Sequence, residues 1–130
     1  MRTFRFDKLI RDSIIESMIA NGEKPEYHTC SDEEYVAALI AKLQEEAVEL
    51  EPGATAAELT AELADLTEVM EALRVAIGVT AEDLAQARQA KNVKAGAFEK
   101  RIWVDTVTLQ DDNPWISHLE QHSDRYPEIS

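Results

Sequence analysis

The chain has 130 residues, of which 45% are hydrophobic and 30% are charged, and these values are typical of a single soluble domain with a real core. Its formal net charge of −13 at pH 7 repels phosphates, which argues against nonspecific binding to nucleic acid or to anionic lipid. The one cysteine, Cys30, excludes an intrachain disulfide and fits a reducing cytoplasm. No signal peptide and no apolar run of membrane-spanning length is present, so no membrane partner is expected.

The N-terminal part of the chain predicts a short helix preceded by two cations. Ser13 and Glu16 have the spacing of a capping box, and Asn21 followed by glycine is a typical helix end. Lys8 and Arg11 are three residues apart and can point the same way just before this helix. On residue type alone, the expectation for both is solvated surface.

The segment 26–30 has β character and contains His28 and Cys30. Both residue types bind zinc, but two ligands do not make a zinc site, and no neighbouring residue in the sequence completes the set. The sequence therefore predicts no zinc at this position.

Three further helices are predicted from local start and stop signals. Capping-box spacing recurs at Ser31 and Glu34, at Thr55 and Glu58, and at Thr80 and Asp83. With a Pro52–Gly53 break and with Gly78 as stop signals, these starts predict helices over residues 32–51, 56–77 and 81–92.

The first two of these helices are amphipathic. At about 100° per residue, each has one apolar stripe, formed by Val36, Leu39, Ile40, Leu43, Ala47 and Leu50 in the first and by Leu59, Leu63, Leu66, Met70, Leu73 and Ile77 in the second. Stripes of this kind predict an antiparallel helical hairpin with the two stripes facing each other.

Acidic residues follow one edge of both stripes. Lys42, Glu46 and Glu49 flank the first stripe, with Glu45 beyond them. The second stripe has Glu62 at its edge, and Asp65 lies just outside it. In an antiparallel hairpin the second helix runs in the reverse direction, which also reverses the sense of rotation about its axis. The acidic edges of the two stripes therefore lie on the same side of the hairpin, and the carboxylates are expected to converge.

Four or five carboxylates held that close repel one another unless a cation joins them. Hard oxygen ligands in this number suit Mg²⁺, with Mn²⁺ as an alternative. The competing interpretation is a solvated acidic flank, which is the usual role of charged residues on a helix pair. The position of Glu62 on an apolar stripe argues against it.

The rest of the chain predicts a strand and a polar tail. Apolar residues alternate over 101–109, which is typical of a strand. Residues 110–130 are polar, and His118 and His122 within them are expected to be a solvated pair because no third metal ligand accompanies them.

These motifs resemble the all-α nucleoside triphosphate pyrophosphohydrolase superfamily, which includes the MazG-like and phosphoribosyl-ATP pyrophosphohydrolase-like proteins. The signature Glu-Glu-x-x-Glu, a spacer and Glu-x-x-Asp stands here as Glu45-Glu46-x-x-Glu49, twelve residues, and Glu62-x-x-Asp65. Lys8-Leu-Ile-Arg11-Asp12 and Gly96-Ala97-Phe98 add to the likeness, which spans about residues 8–104. The resemblance implies a domain over residues 1–109 with a C-terminal extension over 110–130.

The implied fold is mainly α, a helical hairpin bundle with a small β element near the C-terminus. The resemblance also implies a homodimer, or a higher homo-oligomer, with a shared four-helix core, and the wide apolar stripes lead to the same expectation.

The implied activity is Mg²⁺-dependent hydrolysis of a nucleotide, a canonical or a noncanonical triphosphate, between its α- and β-phosphates. Carried over by residue, Glu46, Glu49, Glu62 and Asp65 are metal ligands and Glu45 orients or deprotonates the attacking water. The basic residues available to the substrate phosphates are Lys8, Arg11, Lys42, Lys91, Lys94 and Arg101. Two alternatives stay open: a nucleotide-binding or interaction module without turnover, and a phosphoribosyl-ATP pyrophosphohydrolase.

Overall fold

Five helices and no strand form the regular structure of the chain, in a computed structural model that describes every residue from Met1 to Ser130. In chain order the helices are α1 (Ile14–Ala20), α2 (Asp32–Val48), α3 (Ala56–Ala76), α4 (Ala81–Ala95) and α5 (Ile116–Gln121). The mainly helical fold class is confirmed. None of these helices combines the length with the apolar character that a bilayer crossing requires.

Side-chain caps fix where the three longer helices begin. The Ser31 hydroxyl accepts a hydrogen bond from the backbone N–H of the third residue of α2, and Thr80 does the same for α4. Thr55 and Glu58 form the complete capping box at the start of α3, with both reciprocal bonds present. The predicted cap at Ser13 is wrong: its backbone is already helical and its side chain makes no cap bond.

The helix ends lie close to the predicted stop signals. Helix α2 ends at Val48, three residues before the predicted end. The N–H groups of Glu49 and Leu50 bond to carbonyls three residues back, which tightens the last turn, and a separate turn from Glu51 to Ala54 follows. Gly78 follows α3 with a φ of +75°, a conformation that glycine adopts without the steric penalty of other residues. The hairpin register that the caps and the turn define is therefore as predicted.

Helices α2 and α3 pack against each other along the whole hairpin and hold the core. Leu39 on α2 is the one buried hydrophobic side chain, with 2% of its surface exposed. Other residues of the two stripes are exposed in the single chain, including Ile40, Leu63, Met70 and Ile77. The two stripes are therefore wider than the contact between α2 and α3, and the hairpin leaves an apolar face uncovered.

The chain divides into two compact units, Met1–Lys94 and Ala95–Ser130. The predicted strand over residues 101–109 is wrong: these residues form no ladder with any other segment, and Ile102, Trp103 and Val104 are exposed. Alternating apolar residues make a strand only when a neighbouring strand satisfies their backbone groups, and neither 26–30 nor 3–6 provides one. The domain boundary predicted near residue 109 stays a prediction.

Candidate metal centre

Three glutamates from the two hairpin helices come together on one side of the hairpin. Glu46 lies on α2, Glu49 is the C-cap residue of that helix, and Glu62 lies on α3. One carboxylate oxygen from each can be chosen so that all of them lie within 4.8 Å of one another. The expected convergence of Glu46 and Glu49 with Glu62 is thus present within one chain.

Part of this glutamate cluster is withdrawn from water. Glu46 is only 9% exposed, and burial, followed by the charge of Glu49, raises the pKa of its carboxyl group above the ordinary value. Glu62 Oε2 is buried and has no hydrogen-bond partner. The Lys42 ammonium lies 3.6 Å from Glu46 Oε1 and offsets part of the repulsion. A buried oxygen without a partner, beside two further carboxylates, is the environment that a divalent cation would stabilise.

Glu45 is in a different environment from Glu46, although it precedes it directly. Lys8 Nζ donates a hydrogen bond of 2.8 Å to Glu45 Oε1, and Lys42 Nζ lies 3.7 Å from the other oxygen. The hydrogen bond from Lys8 lowers the pKa of the Glu45 carboxyl group, and the same bond raises the pKa of Lys8. Glu45 is therefore held ionised at the edge of the cluster and faces cations.

Asp65, which was predicted to be a metal ligand, pairs with an arginine side chain and does not lie within the glutamate cluster. Arg11 Nη2 donates a 2.8 Å hydrogen bond to Asp65 Oδ1, while the charge of Asp65 is near enough to contribute to the raised pKa of Glu46. Asp65 thus lies beside the cluster. Lys8 and Arg11 are exposed, as their residue type predicts, and both side chains also bind acidic residues of the hairpin.

A shallow pocket of about 210 Å³ adjoins Glu45. Lys8 and Lys42 line it together with Glu45, and the remaining lining residues are Asp7, Leu9, Ala38 and Ala41. The pocket therefore has two ammonium groups within reach of the glutamate cluster. Lys91 and Lys94, on the exposed helix α4, make no ion pair and do not line the pocket. Arg101 belongs to the other unit, Ala95–Ser130.

A second group of metal-binding side chains lies at the start of α2. The ligand atoms of His28, Cys30 and Glu34 all lie within 4.8 Å of one another. The sequence pattern showed only His28 and Cys30 as neighbours, and it did not predict that Glu34 joins them. The available signal was the cap at Ser31, since a carboxylate three residues into a helix lies next to the segment that precedes the helix.

Taken together, the fold and the cluster define a helical protein with a candidate carboxylate metal centre on an α2–α3 hairpin. No family model matches the chain, and no solved structure matches it. One relative is an uncharacterized protein from Mycolicibacterium smegmatis, which is 54% identical over 43 residues. The match covers 33% of this chain and 44% of that relative, so it shows local similarity and no activity.

Proposed function

We propose that the chain is a Mg²⁺-dependent nucleotide pyrophosphohydrolase. It would cleave a nucleoside triphosphate, canonical or noncanonical, between the α- and β-phosphates to give the monophosphate and pyrophosphate. The observation that carries the proposal is the cluster of Glu46, Glu49 and Glu62, in which a buried carboxylate oxygen of Glu62 has no partner. The resemblance of the acidic motif to all-α pyrophosphohydrolases supplies the reaction.

The glutamate cluster fits a hard divalent cation by its chemistry. Glu46, Glu49 and Glu62 would hold Mg²⁺, or Mn²⁺ in its place, through oxygen ligands of the type these ions prefer. Asp65 would become a fourth ligand once Arg11 turns from it to a substrate phosphate. When bound, the ion neutralises phosphate charge and lowers the pKa of a coordinated water.

The remaining residues of the site would act on the water and on the phosphates. Glu45 is held ionised by Lys8 and would accept a hydrogen bond from the attacking water, which orients it. Because its pKa is lowered, orientation is a better role for Glu45 than strong basicity. Lys8, Arg11 and Lys42 would bind the phosphates, exchanging one anionic partner for another. The resemblance alone assigns Lys91, Lys94 and Arg101 as further phosphate contacts.

The proposal includes a homodimer built on the uncovered face of the hairpin. Met70 and Leu63 on α3 are 50% and 54% exposed, and a second hairpin would cover them in a four-helix core. Cytoplasmic nucleotides, in the compartment that a single free thiol favours, would be the substrates.

Activity is tested by measuring pyrophosphate released from a panel of nucleotides with and without Mg²⁺. We expect release only with Mg²⁺, and a fall in turnover of at least about 100-fold in Glu49→Gln and in Asp65→Asn, since each removes a charge from the metal environment. Glu68→Gln is the matched control, because Glu68 is an exposed glutamate of α3 without an ion pair. If the chain binds nucleotide but releases no product, it is a nucleotide-binding module and not an enzyme. Unchanged turnover in both variants would refute the assignment of the metal ligands.

The dimer is tested by sedimentation equilibrium of the full chain. We expect a dimer for the natural sequence and a shift to monomer in Met70→Glu, because a charge at the centre of an apolar interface is costly to bury. Val93→Glu changes an exposed residue of α4 and is the control. A monomeric natural chain at concentrations where it is folded contradicts this part of the proposal.

A further inference from the structure

We propose that His28, Cys30 and Glu34 form a second metal site, which binds one Zn²⁺ ion and leaves one coordination position open. This site is independent of the proposed hydrolase centre. Glu34 and Glu46 lie twelve residues apart on α2, which separates the two sites by about 18 Å along the helix axis. The ligand types also differ, since imidazole and thiolate select zinc and similar transition metals over Mg²⁺.

The three ligand atoms already lie at the scale of a zinc site. His28 Nε2 and Glu34 Oε1 are 2.7 Å apart, and the thiol of Cys30 lies within 4.8 Å of the other two ligand atoms. In a tetrahedral zinc site, such atoms are about 3.3–3.6 Å apart. Zinc would therefore enter by opening the His28–Glu34 hydrogen bond by less than about 1 Å. His28 is exposed enough to allow this small movement.

Glu34 orients its carboxylate differently from the acidic residues at the same position in the next two helices. Glu58 and Asp83 each accept a hydrogen bond from the backbone N–H of their own cap residue. At the start of α2 this reciprocal bond is absent, and the Glu34 carboxylate turns to His28 and Cys30 instead. The N–H of Glu34 still bonds the Ser31 hydroxyl, so the cap fixes the Glu34 backbone beside the segment that carries the other two ligands.

The charges also balance at this location. One thiolate and one carboxylate neutralise a Zn²⁺ ion, so the occupied site carries no net charge at the helix N-terminus, where an unbalanced cation would be unfavourable. Zinc binds the thiolate form of cysteine, so binding would release the thiol proton of Cys30.

The inference is tested by titrating the full chain with Co²⁺, which reports thiolate ligation by its charge-transfer absorption, and then displacing Co²⁺ with Zn²⁺. We expect one ion per chain with the charge-transfer band. Affinity should fall at least about tenfold in His28→Gln and in Glu34→Gln. Glu58→Gln is the matched control, because it removes the equivalent carboxylate of α3, and it should leave the band unchanged.

Two further measurements keep the test decisive. Glu49→Gln should retain the Co²⁺ band, so a failure of the proposed hydrolase would not affect this outcome. If a variant does not fold, the rate of alkylation of Cys30 is measured in the natural chain instead. Zn²⁺ should slow the alkylation, whereas Mg²⁺ should not. Absence of the band in the natural chain, undiminished affinity in Glu34→Gln, or equal alkylation rates with the two ions would overturn the proposal.

Discussion

Replacing Glu62 by glutamine should stabilise the metal-free chain and abolish its stabilisation by Mg²⁺. One carboxylate oxygen of Glu46 and one of Glu62 lie no more than 4.8 Å apart. At that distance two negative charges repel by about 3.5 kcal/mol at an effective dielectric constant of about 20, and by about 0.9 kcal/mol in bulk water. Glu46 is buried and Glu62 is partly buried, so the true value lies between these limits. Glu62→Gln removes this repulsion, and its amide can donate to Glu46.

The assay is thermal unfolding at one fixed protein concentration, in EDTA and in excess Mg²⁺. In EDTA, we expect the free energy of unfolding to rise by about 1–3 kcal/mol in Glu62→Gln, which corresponds to an increase in Tm of several degrees. With Mg²⁺ at about 100 times its Kd, the natural chain should gain about 2.7 kcal/mol, and the variant should gain little. The difference in the free energy of unfolding between Glu62→Gln and the natural chain is therefore expected to be smaller in Mg²⁺ than in EDTA, or to change sign.

Glu68→Gln serves again as the control and should change the free energy of unfolding by no more than about 0.5 kcal/mol in either condition. A Glu62→Gln chain that is less stable than the natural one in EDTA would mean that Glu62 is already compensated, and the charge argument would be wrong. A variant that keeps the full gain with Mg²⁺ would show that the ion binds elsewhere.

The other predictions concern pH and helix capping. Burial and Glu49 raise the pKa of Glu46 above its ordinary 4.5, so a proton competes with the metal there at higher pH than at an exposed carboxylate. The Mg²⁺-dependent increase in Tm should be complete near neutral pH and begin to fall while the pH is still above 4.5. The pKa shift of Glu45 has the opposite sign, because the hydrogen bond from Lys8 lowers it. The pair therefore stabilises the folded chain above the unfolded-state pKa of Glu45. This stabilisation is lost only as the pH falls through the lowered folded-state pKa. A Mg²⁺ effect that does not change down to pH 4.5 would contradict the first statement. Thr55→Ala should lower the free energy of unfolding by about 1 kcal/mol because it removes a capping box, whereas Ser13→Ala should change it by less than about 0.5 kcal/mol, since Ser13 caps nothing. Equal effects of the two substitutions in urea unfolding would refute the capping assignment.

Local signals predicted the helical part of the molecule well. The caps at Ser31, Thr55 and Thr80 act between residues three apart, so the information that sets each helix start is contained in a few adjacent residues. The period of the apolar stripes then fixed which acidic residues face the same side. Glu46, Glu49 and Glu62 could be placed together because the turn between their helices is short.

Interactions between distant segments could not be predicted in the same way. Lys8 bonds to Glu45 across 37 positions, and Arg11 bonds to Asp65 across 54. The sequence contains several cations that could serve these acids, and only the path of the N-terminal segment selects Lys8 and Arg11. The alternation over residues 101–109 predicted a strand, yet a strand requires a partner that the fold does not supply.

The sequence alone determined the helices, their register and the side on which the acidic residues lie, because each depends on hydrogen bonds and periodicity within one or two turns. The tertiary structure decided which of those acids are neutralised by lysine or arginine and which are left unpaired at Glu62. It also decided that Glu34 joins His28 and Cys30. These outcomes depend on the packing of whole segments, whose free energies are spread over many contacts and have no local pattern in the chain.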